Sequence, residues 1–298
     1  MTKNYLAIDV GGTYIKVGIV DALGHISEKN NYKTSQKSYL ELINQLERIV
    51  SDYKKICDID GIGFAIPAAT DAVNGVIKSK GSLKYIKNKS IVKDLKAKED
   101  LPIIIENDAN CAALAEVWLG SAKNNNNIVF LIIGTGIGGA VITNRQVNSG
   151  ANLFAGEFGY GIHNFDYKKL SGDIWSLTGA TQILVDKASS ILGPTYEDLN
   201  GKKVFEMARK GNTQLKTLID EFYFNLAIGI HNIQYYIDPE KIIIGGGISQ
   251  REDLIEEVNS RLKIIYKKLS IDELFPIIDT CTFNNDANLL GAVYNFIK

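Results

Sequence analysis

The feature that most constrains the fold is a strand, glycine turn and strand pattern that occurs once in each half of the chain. In the first half, the apolar segments 5–10 and 14–20 flank Gly11-Gly12-Thr13. In the second half, segments 128–133 and 140–142 flank Gly134-Thr135-Gly136-Ile137-Gly138-Gly139. Because glycine has no Cβ, such turns let an anion approach the backbone N–H groups, as phosphate binding requires. A hairpin without a ligand is the alternative for either turn, but two matching turns favour two phosphate-binding loops.

Charged residues lie on either side of the first turn. Asp9, two residues before the first turn, could hold a hydrated Mg²⁺. Lys16 could add positive charge near the phosphates, although an exposed lysine on a strand is the alternative.

A strand rather than a helix follows the second turn at 134–139, which argues against a Rossmann dinucleotide site.

A strand that turns sharply into a helix lies further along the first half. Ile103, Ile104 and Ile105 predict a buried strand, and the small-residue run 108–118 predicts a helix. Ligands of α/β proteins bind at the carboxyl ends of strands, so Asn107 and Asp108 are candidate site residues. A helix N-terminus favours a negative charge, and Asp108 could act as a base there. Simple capping of the helix by Asp108 is the competing interpretation.

The order of the other elements predicts the fold class. A third strand at 26–32, a helix at 38–53 and a strand within 61–69 precede the strand and helix at 103–118. This is the order of the ribonuclease H-like fold, the building block of actin-like ATPases. We therefore predict an α/β protein with two such domains and an interdomain cleft. The smaller N-terminal domain is expected at 1–120 with the C-terminal helix 286–298, and the larger domain at 121–285.

Two more glycine-rich segments in the second half are candidate binding sites. Segment 155–161 carries one carboxylate, Glu157, which could accept hydrogen bonds from two neighbouring sugar hydroxyls. A solvated loop glutamate is the alternative. A helix at 221–237 and a strand at 241–244 lead to Gly245-Gly246-Gly247, where adenine or ribose could lie against bare backbone. Close packing of the strand on a helix is the structural alternative. The sequence pattern does not predict the secondary structure of segment 168–195.

Composition excludes several classes of partner. The net charge of −1 gives no electrostatic reason to expect nucleic acid or an anionic membrane as a partner. The lysine-rich segment 74–98 is interpreted as a solvated surface. Three cysteines without C-x-x-C spacing do not predict disulfides or a zinc knuckle. Since no apolar run approaches about 20 residues, and no signal peptide is visible, we expect a cytoplasmic protein.

Taken together, five motifs in order resemble the ROK family of sugar kinases and sugar-responsive repressors. They are 9–13, 106–110, 134–139, 156–159 and 245–249. The resemblance implies an actin-like fold that binds a sugar, ATP and Mg²⁺, and a homodimer is common in the family. It implies a general base at Asp108. The implied sugar-binding residues are Asn107, Gly156, Glu157 and Tyr160; the implied ATP-binding residues are Asp9, Gly11, Gly12, Thr13, Lys16, Gly134, Thr135, Gly136, Gly138, Gly245, Gly246 and Gly247.

Departures from the family pattern point to a substrate class. Most members bind a structural zinc through a histidine, here replaced by Tyr160, and a cysteine cluster, whereas no cysteine lies between Cys111 and Cys281. No zinc is therefore expected, and the C1 side of the sugar should be more open or more apolar than in a glucokinase. This resembles β-glucoside kinases, which would phosphorylate the 6-OH of sugars such as cellobiose. N-acetylmannosamine kinase and glucokinase are alternatives. A sugar-sensing regulator is the alternative from another class, but only residues 1–5 precede the first motif.

Overall fold

The computed structural model describes residues 3–194, 196, 198–271 and 273–298. Contacts within these ranges divide the chain into two units. The first unit comprises Met1–Asn124, Arg145–Phe154 and Thr282–Lys298, and the second comprises Asn125–Asn144 and Ala155–Cys281. Residues 1 and 2 of the predicted domain 1–120, and Thr195 of the unassigned segment 168–195, lie outside the described residues.

The strands between residues 4 and 107 of the first unit form a mixed sheet and a short hairpin. The strands are β1 (Asn4–Val10), β2 (Tyr14–Asp21), β3 (Ile26–Lys33), β4 (Gly61–Ile66), β5 (Thr70–Asp71), β6 (Val76–Ile77) and β7 (Ile103–Asn107). The sheet order is β3-β2-β1-β4-β7, and β5 pairs with β6. The pairs β1/β2 and β2/β3 are antiparallel, while β1/β4 and β4/β7 are parallel. The carboxyl ends of β1, β4 and β7 therefore lie at one edge of the sheet.

The helices of the first unit cover its sheet, and sequence patterns account for them. They are α1 (Tyr39–Tyr53), α2 (Ile91–Lys96), α3 (Asp108–Trp118) and α9 (Ala287–Tyr294). The side chain of Ser38 caps α1 by accepting a hydrogen bond from the Glu41 N–H. The helix α1 buries its predicted apolar stripe, Leu42, Leu46, Ile49 and Tyr53. Glycine allows α9 to pack tightly on α3, since a Cβ at Gly291 would lie 1.7 Å from the Cys111 carbonyl oxygen.

The second sheet repeats the strand order of the first. Its strands are β8 (Ile128–Ile133), β9 (Ile137–Thr143), β10 (Gln146–Val147), β13 (Lys241–Gly245) and β14 (Ile278–Thr280), in the order β10-β9-β8-β13-β14. The pair β8/β9 is antiparallel, whereas β13 runs parallel to β8 and to β14. A separate hairpin joins β11 (Ile162–Asp166) to β12 (Ser171–Ile174). The prediction of two ribonuclease H-like sheets is confirmed.

Five helices follow in the described part of the second unit. They are α4 (Ser176–Gly179), α5 (Thr181–Leu192), α6 (Gly201–Arg209), α7 (Thr213–Ile237) and α8 (Leu254–Leu269). Short 3-10 helices form at Lys84–Ile86 in the first unit and at Phe158–Tyr160 and Gly247–Gln250 in the second. No helix of the described ranges has the length and apolar character needed to cross a membrane.

Several predicted boundaries differ from the structure. The helix predicted at 221–237 begins at Thr213, where the Asn212 side chain accepts the Leu215 N–H and Leu215 and Leu218 add buried turns. The strand expected at 140–142 begins at Ile137, so Gly138 and Gly139 lie in β9. The name second glycine turn is kept below for residues 134–138, which include the first two residues of that strand. The unassigned segment 168–195 contains β12, α4 and α5. The prediction for the lysine-rich segment 74–98 is confirmed, because its eight lysines are exposed.

Candidate active site

The first glycine turn joins β1 to β2 and requires glycine for steric reasons. The Gly11 N–H donates to the Tyr14 carbonyl at 3.0 Å, and a Cβ at Gly11 would lie 2.6 Å from that same oxygen. Within the described residues, no oxygen accepts from the N–H groups of Gly12 and Thr13. The turn therefore presents two adjacent N–H groups that an anion can accept from.

A buried carboxylate lies two residues before this turn. Asp9 is 6% exposed, and its Oδ2 lies 3.6 Å from the Lys16 Nζ. Burial raises the pKa of Asp9, while Lys16 and a hydrogen bond with Asn288 oppose that rise. Asp9 and Lys16, predicted separately as site residues, thus form one ion pair on neighbouring strands.

The junction of β7 and α3 brings Asn107 and Asp108 together. Asn107 is the N-cap of α3, because its Oδ1 accepts the Asn110 N–H at 3.1 Å. Capping by Asp108 was therefore the wrong interpretation. Asp108 is the first residue of α3, and its Oδ1 accepts from the Ala109 N–H at 2.9 Å and the Asn107 Nδ2 at 3.1 Å. These two donors fix the orientation of the Asp108 carboxylate.

Glu106 holds this junction in place and was missed as a site residue. It is buried, and its Oε1 accepts from the Asn107 N–H at 2.8 Å and from the Asn110 Nδ2 at 2.9 Å. Burial raises the pKa of Glu106, and the two hydrogen bonds oppose that rise. The 106–110 run contained the only available signal, since a carboxylate at the end of an apolar strand needs polar partners.

The second glycine turn presents bare backbone to open space. A Cβ at Gly134 or Gly138 would meet no atom within 4 Å, and neither residue has a positive φ. Packing and backbone conformation therefore do not require glycine at these positions. No oxygen of the described chain accepts from the Thr135 and Gly136 N–H groups. A ligand that lies against the backbone would explain glycine at both positions.

The three glycines after β13 serve different purposes. A Cβ at Gly245 would meet the Phe130 ring at 2.7 Å, and Gly246 has a φ of +89° with the Ile133 carbonyl oxygen 2.3 Å from its Cβ position. Packing and conformation thus explain glycine at 245 and 246. Gly247 has open space around its Cβ position and lines a cavity of about 690 Å³. The bare backbone predicted for an adenosine is therefore restricted to Gly247.

This cavity adjoins the second glycine turn. Thr181, which also lines it, donates its hydroxyl to the Gly134 carbonyl at 2.8 Å. Gly201, at the start of α6, lines the cavity and again has open space at its Cβ position. A cavity of this volume is large enough for a nucleoside. Because Thr181 contacts both features, one extended ligand can occupy the cavity and reach the turn.

One wall of the cavity is built from residues that the sequence did not identify. The Arg251 guanidinium carbon lies 3.6 Å from the centre of the Phe205 ring, and its Nε donates to the Tyr223 hydroxyl at 3.2 Å. Phe205 and Arg251 both line the cavity. Phe205 lies on α6 and Arg251 follows the Gly247–Gln250 helix, so the fold alone brings them together.

The predicted sugar-binding loop lies in the second unit. Gly156 requires glycine, because its φ is +94° and a Cβ would lie 2.6 Å from the Gly139 carbonyl oxygen. Glu157 follows as the N-cap residue of the 158–160 helix, and the residue is exposed. Neighbouring protein atoms partly desolvate its carboxyl group, which raises the pKa of Glu157. Tyr160 ends that helix with 68% of its surface exposed. Glu157 and Tyr160 are both available to a ligand.

Comparison with known proteins identifies the family. The model of the ROK family matches residues 5–298. The chain belongs to the ROK family. The resemblance predicted from the five motifs is therefore confirmed, and so is the actin-like α/β fold class.

Relatives within the family include named sugar kinases. The β-glucoside kinase of Listeria monocytogenes is 32% identical over 98% of this chain and 97% of its own length. The β-glucoside kinase of Klebsiella pneumoniae is 30% identical over 97% of this chain and 95% of its own. A ROK family protein from Streptococcus pneumoniae, solved in complex with sucrose, has a TM-score of 0.89 and 33% identity, covering 99% of this chain and 98% of that chain.

The residues described here suit magnesium bound through a nucleotide. In ranges 3–194, 196, 198–271 and 273–298, no three His, Cys, Asp or Glu side chains cluster as metal ligands. Mg²⁺ at phosphate-transfer sites keeps several waters and takes one or two carboxylates together with substrate phosphates. Asp9, near the open N–H groups of the first turn, is a carboxylate that fits this requirement. The absence of zinc stays a prediction.

Proposed function

We propose that the chain is an ATP-dependent sugar kinase that transfers the γ-phosphate to a sugar hydroxyl, the 6-OH of a β-glucoside such as cellobiose. The observation that carries this proposal is that Thr181 lines the 690 Å³ cavity and also donates to the Gly134 carbonyl of the second glycine turn. Thr181 contributes to both, and bare backbone at Gly247 and Gly134 lies at either end. A base and its phosphates need this combination of a cavity and open N–H groups.

Two sets of residues are assigned to the nucleotide. We assign the adenosine to the cavity at Gly247, beside Gly245 and Gly246, which shape the backbone there. Gly134, Thr135, Gly136 and Gly138 would lie against the phosphates. In the first unit, Gly11 shapes the turn, Gly12 and Thr13 donate N–H groups, and Lys16 adds a positive charge. Asp9 would hold Mg²⁺ through water, and the bound ion offsets negative charge on the phosphates.

Asp108 acts as the general base in this proposal. Its carboxylate accepts the proton of the sugar hydroxyl while that oxygen attacks the γ-phosphorus and the bond to the β-phosphate oxygen breaks. The Ala109 N–H and the Asn107 amide hold the carboxylate in one orientation before the substrate arrives. Fixed orientation and preformed donors supply most of the rate in phosphoryl transfer.

The sugar is held by hydrogen bonds and an exposed aromatic ring. We assign Asn107 and Glu157 to sugar hydroxyls, Gly156 to shaping the loop and Tyr160 to the sugar's apolar face. Support for a β-glucoside comes from the two β-glucoside kinases that match nearly full length. The sucrose complex of a 33% identical protein shows that a family member accommodates a disaccharide. The predicted homodimer stays a prediction.

A substrate panel tests the proposal. ADP release with MgATP is measured against cellobiose, an aryl β-glucoside, glucose and N-acetylmannosamine. We expect turnover on the first two and little on the monosaccharides. Preference for glucose or N-acetylmannosamine would replace the β-glucoside assignment with the glucokinase or N-acetylmannosamine kinase alternative. Sugar binding without phosphorylation of any sugar would favour the sugar-sensing regulator.

The variant Asp108→Asn tests the assigned base. Asparagine keeps the oxygen that accepts from Asn107 and Ala109, so the melting temperature should change little. Loss of the base should lower kcat on the order of 10²- to 10⁴-fold with little change in KM. Steady-state kinetics and thermal melting measure both. Turnover near the wild-type rate would contradict the assignment of Asp108.

A further inference from the structure

A short segment after β3 has no role in the proposed function, yet it donates a hydrogen bond to every carbonyl of the first glycine turn. This segment, residues 34–36, is called the strap. The Thr34 hydroxyl donates to the Gly11 carbonyl at 2.8 Å, and the Thr34 N–H donates to the Thr13 carbonyl at 2.9 Å. The Gln36 side-chain amide donates to the Gly12 carbonyl at 2.7 Å.

These bonds determine where the N–H groups of the turn point. In a trans peptide, the carbonyl of one residue and the N–H of the next point in opposite directions within one plane. A donor that holds the Gly11 carbonyl therefore directs the Gly12 N–H away from the strap. The bond to the Gly12 carbonyl does the same for the Thr13 N–H. Neither of these two N–H groups has an acceptor among the described residues.

The strap is itself held by two neighbouring elements. Thr34 is buried, with 2% of its surface exposed. Gln45 of α1 accepts the Ser35 N–H at 3.1 Å and donates to the Lys33 carbonyl at 2.8 Å. The Tyr85 hydroxyl donates to the Ser35 carbonyl. Because the strap is fixed on both sides, it can hold a glycine turn that would otherwise adopt many conformations.

We propose that Thr34 and Gln36 are positioning residues that hold the first glycine turn in its anion-binding conformation. The proposal rests on the proposed function only in naming the anion as the phosphates of MgATP. The strap acts through the backbone, so it should affect ligands that carry phosphates and leave the binding of adenosine unchanged. A structural role alone would lower stability without distinguishing these two ligands.

The test compares MgATP with adenosine in matched variants. Thr34→Val removes the hydroxyl at constant volume, Gln36→Met removes the amide at an exposed position, and Thr34→Ser keeps the hydroxyl. Loss of one hydrogen bond should raise the Kd and KM for MgATP about fivefold. The Kd for adenosine and the KM for the sugar should not change, and Thr34→Ser should restore the affinity for MgATP.

A control separates this effect from general destabilisation. Tyr53 also donates a hydroxyl to a backbone carbonyl of the first unit, that of Glu28 in β3, at 2.6 Å. Tyr53→Phe should lower stability by a similar amount and leave the affinity for MgATP unchanged. Equal loss of MgATP affinity in Tyr53→Phe, or no loss in Thr34→Val and Gln36→Met, would overturn the proposal.

The binding measurement also separates this proposal from the proposed function. A wild-type chain that binds MgATP but phosphorylates no sugar would contradict the kinase assignment alone. The strap would then still be judged by the Kd values of its variants. A wild-type chain that does not bind MgATP would overturn both proposals.

Discussion

The two glycine turns share a strand–turn–strand plan but differ in what fixes their conformation. In the first turn, the carbonyls of Gly11, Gly12 and Thr13 all accept hydrogen bonds from residues 34–36. In the second turn, the Gly134 carbonyl accepts from the Thr181 hydroxyl at 2.8 Å and the Gln182 N–H at 3.2 Å. The first turn is held along its whole length, whereas neighbouring elements hold the second mainly at its start.

The reason for glycine differs as well. At Gly11 the protein leaves no room for a Cβ, while at Gly134 and Gly138 the Cβ would extend into open space. The residue two positions before the turn is Asp9 in the first and Ile132 in the second. One sequence pattern thus contains a turn shaped by the protein, with a carboxylate beside it, and a turn left open for a ligand.

The largest expected effect is on stability at the first turn. Gly11→Ala would place a Cβ 2.6 Å from the Tyr14 carbonyl oxygen. Relieving that overlap must move backbone, which should lower the free energy of unfolding by about 3 kcal/mol. Chemical denaturation measures this change. A stability equal to wild type would show that the first turn is as open as the second.

The opposite result is expected at the second turn. Gly138→Ala adds a Cβ where no protein atom lies within 4 Å, so the melting temperature should stay the same or rise slightly. The methyl group would occupy the space assigned to the phosphates, and the KM for MgATP should rise about tenfold, equivalent to 1.4 kcal/mol. Melting curves and steady-state kinetics on one preparation give both values. A destabilised Gly138→Ala variant would show that the second turn, like the first, has no room for a Cβ.

Because Asp9 beside the first turn is ionisable and Ile132 beside the second is not, we expect stability to depend on pH through the first turn. Burial raises the pKa of Asp9 above its ordinary value of 3.8, so the folded state binds this proton more tightly than the unfolded chain. The contribution of Asp9 to stability therefore falls as pH rises from 3.8, the pKa in the unfolded chain, to the higher pKa of the folded state. Asp9→Asn should raise the melting temperature at pH 7 by a few degrees and lower kcat, and the gain in stability should vanish below pH 3.8. A gain that persists in acid would contradict this origin.

The smallest effect is expected where the second turn is held twice. Thr181→Val removes the hydroxyl donor to the Gly134 carbonyl, but the Gln182 N–H still donates to that oxygen. The KM for MgATP should rise only about twofold, less than a full hydrogen bond would give. Thr181→Ser serves as the control. An effect larger than that of Thr34→Val would reverse the order of the two turns.

The sequence predicted the features that depend on local pattern. Both glycine turns, the order of elements along the first half and the junction at Asp108 were recognised, because apolar runs and glycine clusters are visible along the chain. Locally ambiguous features were left open or misplaced. The competing interpretation that Asp108 caps α3 is wrong, because Asn107 is the cap, and the pattern did not distinguish the two since both residue types cap helices well. The start of α7 at Thr213 was missed because polar residues separate its first buried leucines.

Features built from distant residues could not be predicted. The Phe205 and Arg251 wall joins two segments that become neighbours only in the folded unit. Thr34 and Gln36 were equally inconspicuous, because a polar segment after a strand is an ordinary loop until its partners are known. The two purposes of glycine also required coordinates, since only the space around each Cβ position distinguishes them.

We assign MgATP to the open second turn and the cavity beside it. Titration calorimetry of MgATP and of adenosine with the wild type and Gly138→Ala measures whether both ligands bind there. We predict that the wild type binds both ligands, and that Gly138→Ala binds adenosine normally but MgATP about tenfold more weakly. Equal MgATP affinity in the two proteins, or loss of adenosine binding in Gly138→Ala, would contradict this assignment.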